Sequence, residues 1–467
     1  MVRRVLLHCL CAVFVWLGLA GAGCGQPADN NGPGAAETVI GEIDLSSWIP
    51  ESLLASPDNR RIAWVAATGD EQYVVVDGQE GKHFDGIGMG GLIFSPDSKR
   101  VAYSAREGGK WFVVVDGNEG KRHDSISEGT PIFSPDGKRT AYAAEEGSDW
   151  LAVVDGHGEK RYGSIHAGSL VFSPDSKRIA YAAELGDEQF VVVDSEEGKH
   201  YDGILAGDLG FSPDSKRVAY GAAMGDERFV VVDGQEGKRY DGIGAGPVFS
   251  PDSRRVVYAA RVGDQYCVVL DGGEGNRYGG IVKESLAFSP DSRRMAYVAM
   301  ANRKTFVVVD GEEGKGYDGV GKGPPVFSPD GRRMAYMAAE GEDRFVVLDG
   351  EEGKRYRGIG RIVFSPDGTR IAYVAATDDG RCLVVDGQET KHYEVTDFPS
   401  FSPDGARIAY GAMVGDERFV VVDGRESKHH DIIMTSREGR IVFDSPNSLH
   451  YLAIDGKTVY LVQEKLE

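Results

Sequence analysis

The sequence predicts an all-β protein, a β-propeller of about ten to eleven four-stranded blades, and three observations support this. Pro-Asp pairs recur about every 39 residues, an aspartate follows each at a fixed distance, and no stretch after residue 50 has helical periodicity. A unit repeated at this period cannot bury its apolar face alone, so it must stack on its neighbours. The prolines are Pro57, Pro96, Pro135, Pro174, Pro213, Pro251, Pro290, Pro329, Pro366 and Pro403, and an aspartate lies 20 residues after each, from Asp77 to Asp423.

Each repeat contains four short apolar runs separated by turn residues, as in the fifth copy from Phe211 to Gly246. Pro213 fixes φ in the first turn, and glycines mark the later turns. The third run, Phe229 to Val232, is apolar at consecutive positions, so its strand presents apolar side chains to both faces. Four hairpin-connected strands with two buried faces predict a β-meander stacked between similar sheets.

One segment of the repeat varies in length. We call the aspartate that lies 20 residues after each proline, at the end of the third run, the closing aspartate. The distance from the closing aspartate to the next proline is 19 residues in most repeats, 18 in one and 17 in two. We expect this segment to form the outermost strand and the peripheral connection, where a residue can be lost without disturbing the packed inner strands.

The two ends of the repeat region are predicted to meet. Residues 441–467 supply three apolar runs and lack a fourth, while residues 37–45 form one run without a partner. We expect strand 37–45 to complete the last blade and so remove its open edges. About eleven blades exceed the roughly four to eight usual for one ring, which favours two abutting rings. A single large ring stays possible because no linker interrupts residues 38–467.

Nine copies of F-S-P-D, from Phe94 to Phe401, are each followed by a basic residue and a pattern such as R-V-A-Y. This motif resembles the WD-like propeller repeats of the bacterial TolB type over roughly residues 50–467. The resemblance implies the propeller fold, and it leaves function open because that family includes both interaction proteins and propellers fused to peptidases. The chain departs from the family by carrying VVVDGxEGKxYDG where blades of the TolB type usually end otherwise.

The amino-terminal residues predict export. Residues 1–23 combine Arg3 and Arg4 with an apolar stretch, as a signal peptide does, and residues 24–37 form a low-complexity tether. Ala22-Gly23-Cys24 resembles a lipobox, so we expect Cys24 to be lipidated and the protein to be periplasmic or cell-surface, held to the membrane by a lipid anchor only. Cleavage after Ala22 would instead release a soluble secreted protein.

Composition narrows the function classes. The net charge of −21, from 73 acidic and 52 basic residues, disfavours nucleic acid as a partner because a basic stripe would be needed. No catalytic, metal-binding or phosphate-binding motif is present, so we expect no enzyme activity, no catalytic residue, no cofactor and no metal.

Histidine and cysteine positions point to structural roles. Five histidines fall in the fourth run of different repeats, where solvated surface is expected: His83, His123, His200, His392 and His429. Cys267 and Cys382 occupy a slot that phenylalanine fills in other repeats, which predicts two apolar core residues.

Two surfaces are candidate binding sites. Turns between the second and third strands should form an acidic rim, which solvated turn residues also explain; its residues include Asp70, Asp187, Asp226, Asp264 and Asp416. Trp111 and Trp150 on neighbouring blades, with Tyr266 in the same slot of the sixth, replace the usual Gln, Arg or Thr. They could form a contact patch for a peptide or a glycan, or cover their blades as lids.

These observations favour a non-catalytic cell-envelope propeller that serves as a scaffold for protein partners not identified by the sequence. A glycan-binding or small-ligand-binding propeller is the alternative. A propeller lyase or hydrolase fits less well, because no cluster of acid, base or nucleophile breaks the repeat symmetry.

Overall fold

The computed structural model describes residues 35–88, 90–435 and 441–467, and these form eleven antiparallel sheets arranged as one β-propeller ring. The predicted all-β propeller is therefore confirmed. Within these ranges the helical content is one short 3-10 turn, Pro50–Ser52. None of the described residues belongs to a helix long and apolar enough to cross a bilayer.

Each blade has an inner, a second, a third and an outer strand, and we number the blades from the one that contains Pro57. The inner strands are Leu54–Ala55, Gly86–Ile87 with Ile93–Phe94, Ser125–Ile126 with Ile132–Phe133, Ser164–Ile165 with Val171–Phe172, Gly203–Phe211, Gly242–Phe249, Gly280–Ile281 with Ala287–Phe288, Gly319–Val320 with Val326–Phe327, Gly358–Phe364, Val395–Thr396 with Ser400–Phe401, and Ile432–Met434 with Val442–Ser445. Seven of the eleven inner strands are therefore interrupted.

The second strands of blades 1 to 10 all have the same length, as do their third strands, and both are longer in blade 11. The second strands are Ile62–Thr68, Val101–Glu107, Thr140–Glu146, Ile179–Leu185, Val218–Met224, Val256–Val262, Met295–Ala301, Met334–Glu340, Ile371–Thr377, Ile408–Val414 and Ser448–Asp455. The third strands are Glu71–Val76, Lys110–Val115, Asp149–Val154, Glu188–Val193, Glu227–Val232, Gln265–Leu270, Lys304–Val309, Asp343–Leu348, Gly380–Val385, Glu417–Val422 and Thr458–Lys465.

The outer strands are short in most blades. They are Gln79–Glu80, Asn118–Glu119, His157–Tyr162, Glu196–Glu197, Gln235–Glu236, Gly273–Tyr278, Glu312–Glu313, Glu351–Glu352, Gln388–Glu389, Arg425–Glu426 and, in blade 11, Ala35–Glu42. In blade 5 the outer segment pairs with the third strand a second time where Arg228 and Tyr240 exchange two backbone hydrogen bonds of 2.8 Å.

The invariant aspartate folds the blade from its third strand back into its outer strand. Asp233 and Gly234 both have positive φ, 52° and 77°, as a type I′ turn requires. The Asp233 carboxylate accepts a hydrogen bond from the Val218 amide at 2.9 Å and one from the Arg217 guanidinium at 2.8 Å. The fixed 20-residue spacing follows, because this carboxylate must reach the residues just after the Pro-Asp turn.

The core consists of separate apolar layers between neighbouring blades. One layer joins Ala182 and Val191 of blade 4 to Tyr220 and Phe229 of blade 5. Because both faces of the second and third strands are covered in this way, consecutive apolar residues in the middle of those strands, such as Phe229, Val230 and Val231, are buried.

Ion pairs at the outer edge also join blades. Lys238 of blade 5 contacts Glu274 of blade 6 at 2.6 Å, and Lys391 of blade 9 contacts Glu426 of blade 10 at 2.7 Å. These residues come from equivalent segments at the ends of their repeats, which read E-G-K in blade 5, E-G-N in blade 6, E-T-K in blade 9 and E-S-K in blade 10. Each exposed pair contributes about 0.2–1 kcal/mol, so the repeated motif adds modestly to cohesion between blades.

The ring closes between the last blade and the first. Ala35–Glu42 pairs antiparallel with Thr458–Lys465, and Glu37 accepts from Lys428 at 2.9 Å, as the outer-strand glutamates of other blades do. Ile62 and Trp64 of blade 1 pack in one apolar layer with Leu452 of blade 11. Every blade thus lies between two others, and the two-ring arrangement favoured by the sequence is wrong. The number of blades per ring depends on the angle between neighbouring sheets, which a repeat motif does not specify.

The segment of variable length is the inner strand, so its predicted position at the periphery is wrong. The outer segment always ends seven residues after the closing aspartate, as Tyr240 does after Asp233. In blade 5 the inner strand leaves the ladder between Leu205 and Gly210, whereas in blade 9 it does so only between Ile359 and Ile362. A repeat sequence gives the order of strands but not which strand is innermost.

Candidate functional site: the central channel

The inner strands surround a central channel with a cavity of about 1220 Å³. Its lining comes from blades 1, 2 and 8 to 11, and includes Pro57, Phe94, Lys322, Arg361 and Val442. A cavity shared by so many blades lies on the ring axis. This is where a propeller presents side chains from different repeats to one ligand.

The F-S-P-D motif builds part of the channel wall. Phe364 and Pro366 both line the cavity, while the serine between them, Ser365, is fully buried. The Ser365 hydroxyl donates to Asp367 at 2.5 Å and accepts from the Arg370 amide at 2.9 Å. These bonds hold the turn, and the hydrogen bond from Ser365 lowers the pKa of the exposed Asp367 carboxyl. The sequence motif predicted a turn; its phenylalanine and proline also form an apolar surface.

An arginine from the preceding blade supports each of these phenylalanines. The Arg333 guanidinium lies 5.9 Å from the Phe364 ring centroid, and that of Arg370 lies 5.4 Å from the Phe401 centroid. Arg370 is also fixed by a 2.9 Å hydrogen bond to Asp386 and a 2.8 Å bond to the Ala406 carbonyl. The aromatic wall is therefore held rigidly by cation–π contacts and hydrogen bonds between blades.

Two carboxyl groups on inner strands have environments unlike those of the exposed turn aspartates. Burial raises the pKa of Asp397 in blade 10, and the Arg418 and Arg381 guanidiniums oppose that rise. Burial likewise raises the pKa of Asp208 in blade 5, against the opposing charge of Lys283. Neither residue was identified by the sequence analysis.

The three aromatic candidates are half-buried on third strands and lie on separate blades. Trp150 packs against an apolar layer between blades 3 and 4 that includes Tyr181 and Phe190. The Arg106 guanidinium lies 5.7 Å from the Trp111 ring, and Tyr266 pairs with Arg261 across its hairpin. Among the described residues, no ring contact joins Trp111 to Trp150. A contact patch formed by these residues stays a prediction.

The acidic candidates Asp70, Asp187, Asp226, Asp264 and Asp416 are all exposed in turns between second and third strands. These turns alternate with the Pro-Asp turns along the chain, so they lie on the opposite face of the ring, which we call the acidic face. In residues 35–88, 90–435 and 441–467, no group of three or more His, Cys, Asp or Glu side chains could hold a metal ion. The role of the acidic face in binding stays a prediction.

The cysteine and histidine positions divide between core and surface. Cys267 and Cys382 are free and fully buried, and burial raises the pKa of the Cys382 thiol to about 11. Cys24 lies outside the described residues. The surface position expected for His123 is wrong, since it is 1% exposed. His123 lies seven residues after the closing aspartate of its repeat, whereas His200 lies six residues after its own. A one-residue shift along a strand turns a side chain to the other face.

The channel-lining residues belong to the variable segment, which was expected outside the ring, so none of them was predicted as a site residue. The variation in length was itself the available signal. Inner strands need not maintain the register of a continuous ladder, so they can differ from blade to blade and break the symmetry of the wall.

No family model matches the sequence, and no curated protein matches it. Among solved structures, a crystal structure of a eukaryotic initiation factor matches at 12% identity and a TM-score of 0.40, over 71% of this chain and 96% of that chain. A crystal structure of TolB from Acinetobacter baumannii matches at 14% identity and a TM-score of 0.25, over 61% of this chain and 79% of that chain. Neither match assigns a family or a function to this chain.

Proposed function

We propose that this protein is a non-catalytic scaffold of the cell envelope whose central channel receives a segment of a partner protein. The observation that supports this most directly is the cavity of about 1220 Å³, whose wall includes phenylalanine and proline side chains. A wall that combines apolar side chains with polar groups suits an extended polypeptide, whose backbone can bind the polar groups while its apolar side chains contact the phenylalanine and proline residues.

The rigidity of the ring fits this role. Hydrogen bonds, cation–π contacts and ion pairs join neighbouring blades at the channel and at the outer edge. A preorganised site loses little conformational entropy on binding, so a modest apolar surface can give useful affinity.

Location in the envelope is also part of the proposal. It rests on residues 1–37, whose signal-like segment and Cys24 predict export and lipidation. Mass spectrometry of the mature amino terminus tests it: an acylated Cys24 supports the anchor, and a chain that retains Met1 contradicts export.

Site-specific photocrosslinking in cells tests the scaffold. A photoreactive phenylalanine analogue is placed at Phe364 in the channel wall, and at Gln235, which is exposed on an outer strand, as the matched control. We expect one protein to be crosslinked from position 364 and not from position 235. Equal crosslinking from both positions, or none from 364, would contradict the proposal.

A further inference from the structure

An exposed basic side chain occurs in the Pro-Asp turn of seven consecutive blades. It lies three residues after the proline in blades 2 to 8 and is between 80% and 86% exposed. We call these residues the basic crown: Lys99, Lys138, Lys177, Lys216, Arg254, Arg293 and Arg332. The equivalent residues of blades 9 and 10 are Thr369 and Ala406. In blade 1 the equivalent Arg60 is bonded to Asp444 of blade 11 at 2.6 Å.

The crown forms a circle on the face of the ring opposite the acidic face, which we call the Pro-Asp face. Second strands of seven residues, such as Val218–Met224, separate the two faces by roughly 20 Å. Because the screening length is about 8 Å at physiological ionic strength, charges on the acidic face act weakly on a surface that contacts the crown. Further acidic residues near the Pro-Asp face, such as Glu312 and Glu351, lie on outer strands at the edge of the ring.

The aspartate of each Pro-Asp turn is less exposed than the crown residue beside it. In blade 5 the Lys216 ammonium lies 3.6 Å from the Asp214 carboxylate, beyond hydrogen-bond distance, and the two side chains are 82% and 40% exposed. Asp214 instead accepts from the Ser212 hydroxyl at 2.7 Å, which lowers the pKa of its carboxyl. The next cation, Arg217, is bonded to Asp233 at 2.8 Å. The turn is therefore neutral in sum, but its lysine projects furthest into solvent.

The amino-terminal strand enters the ring at the Pro-Asp face. Ala35 pairs with Glu464. Two residues later the Leu466 amide donates to the Asn447 carbonyl at 2.8 Å, in the blade 11 turn that corresponds to a Pro-Asp turn. Because Ala35 follows Cys24 by eleven residues, an acyl group on Cys24 would hold it within roughly 40 Å of a bilayer. Blade 11 lies in the gap of the crown, so the tether and the cations occupy different parts of one face.

We propose that the basic crown binds the phosphate groups of an anionic phospholipid bilayer, so that the Pro-Asp face lies on the membrane and the acidic face points away from it. The inference rests on the proposed location in the envelope and adds the orientation of the ring. A bilayer is favoured over a nucleic acid because it presents its charges in a plane, as the crown does, whereas a duplex would contact only a few of the seven cations at once.

Vesicle sedimentation tests the inference directly. The protein is the chain from residue 24 with Cys24→Ser, which contains the whole ring and cannot be acylated at that position. It should bind phosphatidylglycerol vesicles at least about tenfold more tightly than phosphatidylcholine vesicles, with affinity decreasing as ionic strength increases from about 0.05 to 0.3 M. Equal affinity for the two vesicles, or no binding to the anionic ones, would overturn the proposal.

Neutralising two neighbouring crown lysines provides the second test. The variant with Lys177→Gln and Lys216→Gln should bind anionic vesicles at least about fivefold more weakly. The matched control combines Lys110→Gln and Lys304→Gln, which remove the same charge from turns on the acidic face. It should stay within about twofold of wild type. Similar losses in both variants would show a general charge effect and refute the crown. Circular dichroism melting with an unchanged midpoint establishes that both variants fold.

Fluorescence quenching tests the orientation of the ring. A fluorophore is attached at Lys177→Cys on the crown or at Asp226→Cys on the acidic face, and it reacts at these positions because Cys267 and Cys382 are fully buried. Nitroxide-labelled lipid in phosphatidylglycerol vesicles should quench the fluorophore at position 177 and leave that at position 226 unchanged. Equal quenching at the two positions would contradict the proposed orientation.

Competition distinguishes the class of ligand, and crosslinking separates this inference from the scaffold. If a double-stranded oligonucleotide releases the protein from anionic vesicles at a lower phosphate concentration than unlabelled phosphatidylglycerol vesicles do, the crown is a general polyanion site and the proposal fails. If the partner is still crosslinked from position 364 while the protein shows no preference for anionic vesicles, the scaffold stands and the membrane contact is refuted.

Discussion

The outer and inner strands of each blade differ in how closely the repeats resemble one another. From the second strand to Tyr240 and its equivalents, spacing is constant in all ten Pro-Asp repeats. Inner strands vary in length and in charge, and they line the channel. The constant part joins blades to each other, so a change there affects two sheets. The variable part lines the channel on one side, which leaves that side available for binding.

The largest expected effect comes from the constant part. Phe229 is fully buried in the layer between blades 4 and 5. Phe229→Ala should lower the free energy of unfolding by about 3–5 kcal/mol, because it leaves a cavity between two sheets. Chemical denaturation measures the loss. Leu185→Ala, at a side chain 50% exposed, is the control and should cost less than about 1 kcal/mol.

Insertion of one residue compares the two strands directly. A glycine inserted between Glu236 and Gly237 should displace the three backbone hydrogen bonds that join Gly237 and Tyr240 to the third strand, at a cost of about 2–3 kcal/mol. A glycine inserted between Gly360 and Arg361 falls where the ladder is already interrupted, and should cost less than about 1 kcal/mol. Thermal unfolding of both proteins checks the order, and equal destabilisation would contradict the comparison.

A smaller effect is expected at the contact between blades near the channel. Arg178 donates to Asp194 at 2.7 Å and to the Lys216 carbonyl at 2.9 Å, and its guanidinium lies 5.2 Å from the Phe211 centroid. Arg178→Ala should cost about 1–2 kcal/mol in unfolding free energy. The neighbouring Lys177→Ala, at a side chain 82% exposed, should cost less than about 0.5 kcal/mol. A larger loss in the lysine variant would show that cross-blade bonding is not the cause.

The smallest expected effect depends on pH. His123 occupies the slot that Tyr162 fills in the next blade, and burial lowers its pKa although the Glu146 carboxylate opposes this. The unfolded chain therefore binds the proton more readily, and stability decreases as pH falls through the unfolded pKa of about 6.5. His123→Tyr should remove this part of the pH dependence. Melting temperatures of both proteins between about pH 7.5 and 5 measure it, and parallel curves would contradict the assignment.

Much of the fold was predictable because each blade is specified locally. Turn residues such as Pro213 and Gly234 and the doubly buried run from Phe229 define four strands without reference to distant residues. The number of blades in the ring was not predictable, since it is fixed where the first and last blades pack together. Trp64 and Leu452 lie in one apolar layer there, although nearly the whole repeat region separates them in the sequence. The channel site was missed for a related reason: Lys322 and Arg361 have no motif, and only the order of strands from the axis outward places them together.

Closure of the ring by its first strand makes completion of the molecule depend on both ends of the chain. Ala35–Glu42 is synthesised before the ten Pro-Asp repeats, yet its partner Thr458–Lys465 is synthesised after them. Until that partner is present, the apolar faces around Ile62 and Leu452 have no cover, and the early strand keeps an unpaired edge. A chain that emerges amino terminus first must therefore pass through an aggregation-prone folding intermediate. Its maturation should be sensitive to chaperones that shield such edges.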